Sequence, residues 1–270
     1  MVVRDAPVVS HVEHPEQARR PRRVEVVDVT DPTPRMRRVR LAGDPSDLAD
    51  LVVAGPTDHA KLFFPPAPGQ EPPEPVVSAR GLVVPPVGAP RPYREYTLRR
   101  HDPAAGTVDV DLVRHGGGLA GAWIEDPRGA LWLLGPRSSA VVEPRDWYLL
   151  GGDETALPAL ARWVEQLPAT ARVHVVAEVA DAAEEAYLGS APAHVTVDWR
   201  HRGDAAPGTT TLLDEAVAAF TPPAGEGFAW MGAEAGALRP VRRRLRAVLP
   251  TAAVDLDGYW RRGVEGTGLG

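Results

Sequence analysis

The chain opens on short stretches in which apolar and polar residues alternate. Arg23 to Val29 carries Val24, Val26 and Val27, Arg37 to Leu41 reads Arg-Arg-Val-Arg-Leu, and Ala60 to Phe64 reads Ala-Lys-Leu-Phe-Phe. Tyr93 to Arg100 and Leu131 to Leu134 continue the series, and Thr107 to Val113 sets Val108, Val110 and Leu112 against Asp109 and Asp111. A period of two places alternate side chains on opposite faces, so these are six strands. Between the third and fourth, Pro65 to Pro92 is crowded with Pro, Gly and Glu, which neither helix nor central strand tolerates. It is expected to be a surface excursion. Short strands with hardly any helix predict a small antiparallel six-stranded barrel.

The pattern changes near Pro144. Trp147 to Leu150 is a compact apolar strand ending in Gly151-Gly152. Leu157, Leu160, Ala161, Val164 and Leu167 then recur at helical spacing, with Thr155 the expected N-cap and Pro158 in the first turn. Strands are expected at Arg172–Val179, His194–Trp199 and Gly227–Met231, and helices at Leu212–Phe220 and Ala237–Leu249. Strand alternating with helix predicts a parallel sheet covered on both faces. The expected organisation is therefore a barrel over residues 1–143, its first 20 residues flexible, and a doubly wound α/β domain over residues 144–270.

Composition narrows the chemistry. The chain lacks cysteine, which excludes disulfides, thiolate metal sites, iron–sulfur ligation and Cys nucleophiles. Net charge is −6, against nucleic acid or anionic membrane as partners. No apolar run reaches the length of a membrane span, and Met1 to Arg23 has no apolar core of a secretory signal. A cytoplasmic monomer is expected. The scattered histidines show no metal-site spacing. Lys61 is the single lysine, and Arg239, Arg242, Arg243, Arg244 and Arg246 read as the solvated face of the last helix.

Arg94-Glu95-Tyr96-Thr97 lies on a predicted strand and combines three groups a flavin dinucleotide needs. A guanidinium engages pyrophosphate oxygens, an aromatic ring stacks on the isoalloxazine, and a hydroxyl hydrogen-bonds near N5. Downstream, His115-Gly116-Gly117-Gly118-Leu119-Ala120-Gly121-Ala122-Trp123 combines close backbone approach with a helix start near Ala120, whose amides suit phosphate. Gly135-Pro136-Arg137-Ser138 reads as a turn closing the barrel.

Leu149-Leu150-Gly151-Gly152-Asp153-Glu154-Thr155-Ala156-Leu157-Pro158 reads as strand, glycine turn and helix start, the place where dinucleotides bind in open α/β sheets. Asp153 and Glu154 would repel a phosphate set against them, so the pyrophosphate would lie toward the backbone amides, or the carboxylates serve as structural caps. Glu178 suits a ribose hydroxyl and favours NADH, whereas Arg200 and Arg202 suit the 2′-phosphate of NADPH. Gly232-Ala233-Glu234-Ala235 is small enough to admit a nicotinamide ring.

Together these segments resemble the ferredoxin–NADP reductase superfamily and, within it, the siderophore-interacting proteins or ferric-siderophore reductases. The resemblance runs from about Val24 to Gly263. It takes in Thr33-Pro34-Arg35-Met36-Arg37-Arg38-Val39, Asp58-His59-Ala60-Lys61-Leu62-Phe63-Phe64-Pro65 and Arg94-Glu95-Tyr96-Thr97-Leu98-Arg99. It continues through Gly152-Asp153-Glu154-Thr155-Ala156-Leu157-Pro158 and Gly258-Tyr259-Trp260-Arg261-Arg262-Gly263. It implies an FAD-binding barrel in which Arg94, Tyr96, Thr97, Leu98 and Arg99 contact the flavin and the loop with His115, Gly117, Gly118, Ala120, Gly121 and Trp123 covers its phosphates. It implies an NAD(P)H-binding domain in which Asp153, Thr155, Ala156, Glu178 and Glu234 face the nucleotide. Leu119 stands where the family usually has Pro after Gly, which bears on flavin affinity. The implied reaction is reduction of a ferric siderophore, with Lys61, Arg261 and Arg262 as cations for an anionic chelate. A ferredoxin reductase, a general flavin or quinone reductase, and a siderophore carrier without turnover are the alternatives.

Overall fold

A computed structural model of the chain describes residues 8–67, 69–81, 83–84, 93–115 and 117–264. The chain divides into two compact units, one within Val12–Ser139 and the other built on Ala140–Gly263. In the first, β2 (Arg22–Thr33), β3 (Met36–Gly43), β4 (His59–Phe63), β5 (Tyr93–Asp102), β6 (Thr107–Val113) and β7 (Ala130–Leu134) close a barrel in the order β2-β3-β6-β5-β4-β7. The short helix α1 (Pro45–Leu48) and helix α2 (Gly118–Glu125) are its helical additions. Val24, Val39, Leu41, Leu62, Leu98, Val108, Val110, Leu112, Leu131 and Leu133 fill the interior.

The alternation of β6 has a consequence on the outside as well. Asp109 and Asp111 are buried despite pointing away from the core. In register across β3, Arg40 grips Asp109 (Nε to Oδ1 2.8 Å, Nη2 to Oδ2 3.0 Å) and Arg38 grips Asp111 through two contacts of 2.7 Å. Two-point guanidinium–carboxylate pairs of this kind fix strand register. Among its described residues the proline-rich stretch forms no helix or long strand, but it is not only a surface excursion. Val77 and Val83 bridge each other and pack with Trp132 against Phe63, Tyr93 and Leu134. Residues 68, 82 and 85–92 of that stretch lie outside the described residues.

The N-terminal segment was expected to be flexible. Instead β1 (Val9–Glu13) pairs with β8 (Ser138–Val142), and Gln17 and Ala18 are buried. A free strand edge supplies hydrogen-bond partners to a segment that has little apolar surface of its own. The expectation for residues 1–7 lies outside the described residues.

The second unit is a parallel sheet of β9 (Trp147–Gly152), β10 (Arg172–Val179), β11 (Val195–His201), β12 (Gly227–Glu234) and β13 (Val254–Trp260), in the order β11-β10-β9-β12-β13. Every residue of β9 and β12 is buried. One face carries α3 (Leu157–Gln166), where Trp163 joins Tyr148, Phe228 and Trp230 at centroid distances of 6.0 to 6.3 Å. The other carries α4 (Leu212–Ala219) and α5 (Leu238–Val248) over Trp147, Leu149, Val176, Ala229 and Met231. The inward face of α3 differs from the stripe expected: Trp163 is buried, whereas Val164 and Leu167 are half-exposed. The aromatic cluster pulls the helix round toward its largest side chain. No helix among the described residues is long and apolar enough to cross a membrane.

Candidate functional site

β5 carries the residues expected to meet a flavin. Arg94 and Tyr96 share one face of the strand, both half-buried, and Arg94 Nη1 donates to the Tyr93 carbonyl at 2.9 Å. Tyr96 packs against the barrel core and meets Phe64 edge-on, 6.2 Å between centroids at 79°. Phe64 meets Trp123 of α2 the same way, at 5.1 Å and 66°. Burial pushes the Tyr96 phenol above its ordinary value, so it stays neutral. Thr97 and Leu98 are buried, and the Leu98 amide donates to the Asp58 carbonyl at 2.8 Å. A bulge between Leu98 and Arg100 breaks the register with β6 and leaves Arg99 buried at the irregular step. Bulges commonly re-aim a side chain in this way.

The glycine loop leads into α2 two residues earlier than expected, at Gly118, with Gly117 as N-cap. No side chain caps the helix; the Gly117 amide donates to His115 Nδ1 at 3.3 Å. Ala120 and Gly121 are buried behind it, and Trp123 Nε1 donates to the Arg128 carbonyl at 3.2 Å. Gly116 lies outside the described residues. The donor set fits a flavin dinucleotide: a guanidinium, a neutral phenol ring on an aromatic wall, a hydroxyl and uncapped helix amides. Lys61 belongs to the same unit, but its ammonium is taken by Glu95 across β4 and β5 at 2.6 Å, over the Tyr93 ring.

The second candidate site is the carboxyl edge of the parallel sheet. β9 is flanked by β10 and β12, so the chain path reverses there, and such switch points open a crevice beyond the strand ends. Gly152 has no alternative: a Cβ there would stand 2.0 Å from the Gly232 carbonyl oxygen and 2.5 Å from Ala156 Cβ. Asp153, not Thr155, is the cap, and the turn it caps is a 3-10 turn over Glu154–Ala156 that precedes α3. Its Oδ1 accepts from the Thr155 amide at 2.9 Å and hydroxyl at 2.5 Å. Its Oδ2 accepts from the Glu234 amide at 3.0 Å and from Trp260 Nε1 at 2.8 Å. One carboxylate thus ties the ends of β9, β12 and β13 together. Thr155 missed the cap role because Asp153 offers two acceptor oxygens and stands where the strand ends.

The remaining acids are also engaged. Glu154 pairs with Arg202 at 2.5 Å, both side chains 5% exposed. Glu234 Oε2 accepts from the Ala237 amide at 2.8 Å, and Oε1 from the Arg262 amide at 3.2 Å. Glu178, next to last in β10, is buried with the Thr210 hydroxyl against it. Burial raises the carboxyls of Asp153, Glu154 and Glu178 above their ordinary values. A hollow of about 330 Å³ opens beside them, lined by Thr210, Thr211, Glu234, Gly236, Ala237 and Arg262. The backbone amides and small residues here suit a nucleotide, with Asp153 and Ala156 forming framework beneath. Arg261 and Arg262 are exposed, and no carboxylate pairs with either side chain among the described residues. Thr210, in the wall of the hollow, and Phe64, against Tyr96, are not marked by the sequence, since neither a lone Thr in a loop nor a Phe after a strand carries a distinguishing pattern.

Comparison with known proteins matches both units. Residues 25–140 match the siderophore-interacting FAD-binding domain, and residues 145–263 match the siderophore-interacting protein model. A siderophore utilization protein from T. fusca, solved by crystallography, is 41% identical with a TM-score of 0.87, covering 97% of this chain and 98% of that one. An uncharacterized protein of Mycobacterium tuberculosis is 39% identical over 187 residues, which is 64% of this chain and 66% of that protein. The ferric vibriobactin reductase ViuB of Vibrio cholerae is 34% identical over 110 residues, 39% of this chain and 40% of that protein. With a barrel and a doubly wound domain each matched in place, this chain belongs to the siderophore-interacting protein family.

Proposed function

We propose that this protein is an FAD-dependent NAD(P)H oxidoreductase that frees iron from siderophores by reducing Fe(III) to Fe(II). A bound flavin supplies the needed conversion, taking an electron pair as hydride and giving electrons up singly. Each hydride therefore suffices for two ferric ions in succession. Fe(II) is softer than Fe(III) and is held less tightly by hard oxygen donors, so reduction amounts to release.

The chain's own residues bind and orient. Arg94 presents a guanidinium to phosphate oxygens, Tyr96 a ring for stacking, and Thr97 a hydroxyl, while the uncapped start of α2 offers amides. Arg261 and Arg262, without a carboxylate partner among the described residues, provide positive charge for an anionic chelate; Lys61 contributes less, because Glu95 already neutralises it. The observation that carries the reading is the grouping of Arg94, Tyr96 and Thr97 on one strand of a barrel that matches an FAD-binding family.

Purified protein tests it. A flavin absorbance spectrum is expected, as is trapped Fe(II) when NADH or NADPH is mixed anaerobically with a ferric siderophore. Bleaching of the flavin without Fe(II) from any chelate would leave a flavin reductase and remove the iron step. A colourless preparation that binds ferric siderophore would identify a carrier.

A further inference from the structure

In doubly wound folds the adenosine half of a dinucleotide lies over the carboxyl ends of the second and third strands. An acidic side chain there engages the ribose 2′-hydroxyl of NAD, whereas an arginine accommodates the 2′-phosphate of NADP. Those strands are β10 and β11 here, and both residue types are present. Their pairing decides between them.

Glu178, next to last in β10, is in register with Arg200 of β11. Arg200 is engaged along its own strand, its Nη2 donating to Asp198 Oδ2 at 2.6 Å. His201 is held by Glu185 at 2.8 Å. Arg202, just beyond the strand, is held by Glu154 at 2.5 Å in a nearly water-free setting. Each cationic or titratable side chain ending β11 therefore already has a carboxylate of its own. Glu178 and Asp181 add two further carboxylates, and no guanidinium pairs with either among the described residues.

A 2′-phosphate placed at this edge would have to take Arg202 from Glu154 or Arg200 from Asp198. The first exchange strands a buried carboxylate, which is strongly unfavourable. A 2′-hydroxyl requires no exchange, because it donates to the Glu178 carboxylate next to Thr210, itself a wall of the hollow. We infer that this edge selects NADH and rejects NADPH, with Glu178 as the ribose acceptor and the Glu154–Arg202 pair as the barrier to a 2′-phosphate. The inference rests on the NAD(P)H reading above.

Titration of the purified flavoprotein with NAD⁺ and with NADP⁺ by calorimetry measures this without turnover. NAD⁺ is expected to bind about tenfold tighter or more, the effect of one adverse charge contact. Glu154→Gln releases Arg202, and Asp198→Asn releases Arg200 at a half-exposed position where folding is not at stake. Each is expected to narrow the ratio about threefold, through tighter NADP⁺ binding. Glu178→Gln is expected to weaken NAD⁺ binding severalfold. NADP⁺ binding as tightly as NAD⁺ to the parent protein, or an unchanged ratio in a folded Asp198→Asn variant, would overturn the selection. Binding of neither nucleotide would overturn the nicotinamide reading itself.

Discussion

Asp153 accepts hydrogen bonds from four groups on three parts of the chain, in a place where burial alone would favour its protonation. Replacing it with Ala would leave the Glu234 amide and the Trp260 indole without acceptors. Unsatisfied buried donors make this a loss of about 3 kcal/mol or more, to be read as a lowered urea midpoint. A nucleotide contact with no framework role would instead lower nucleotide affinity and leave the midpoint where it was. Tyr96 makes the converse case. Its ring sits against Phe64 with part of its surface exposed, so Tyr96→Ala should weaken flavin binding by about 1–3 kcal/mol, the range for stacking on an aromatic side chain. Unchanged flavin content after dialysis would remove Tyr96 from the site.

At the scale of elements, regular alternation specifies a strand and irregular positions do not. β6 was legible because Val108, Val110 and Leu112 alternate strictly with acids, but the depth at which Asp109 and Asp111 sit was not. It depends on Arg38 and Arg40 arriving from β3. Arg40→Met should cost about 1–2 kcal/mol, given that Arg40 itself is partly exposed, because it strands the Asp109 carboxylate. Adding Asp109→Leu should restore most of the loss, and a double variant as unstable as the single one would disprove the pairing argument. β13 lacks any such pattern. Asp255, Asp257 and Gly258 disfavour a strand, and its conformation comes from lying in register beside β12.

For the whole molecule, the carboxyls of the two units respond oppositely to acid. In the α/β unit burial raises Asp153, Glu154, Glu178 and Asp255, the last to about 6 with further help from Asp257. A raised carboxyl contributes stability that is full below its unfolded value and lost as pH rises through its folded value. Asp255 therefore acts between about pH 4 and pH 6, and Asp255→Asn should stabilise the protein at pH 7.5 relative to pH 4.5 by about 1–3 kcal/mol. In the barrel, Arg37 holds Asp31 low and Arg114 holds Glu125 low, so that stability is present at neutral pH and lost on acidification. Calorimetric scans from pH 7 to pH 4 should show the barrel transition moving down relative to the α/β transition. Two transitions that shift together would contradict this.

The amino-acid sequence by itself determined the six barrel strands, four of the five parallel strands with their helices, and the change from barrel to α/β style, and it marks the residues we propose to meet a flavin. Periodicity, glycine turns and side-chain chemistry are local properties, and local properties survive reading along a line. Tertiary structure alone decided how charges are partnered. Lys61 reads as a free cation until Glu95 appears across the ladder, and Arg202 reads as a phosphate ligand until Glu154 appears beside it. Asp153 reads as a repulsive charge until four donors converge on it. Residues distant in the chain supply each partner, and in a low-dielectric interior the partner determines what a charge can do.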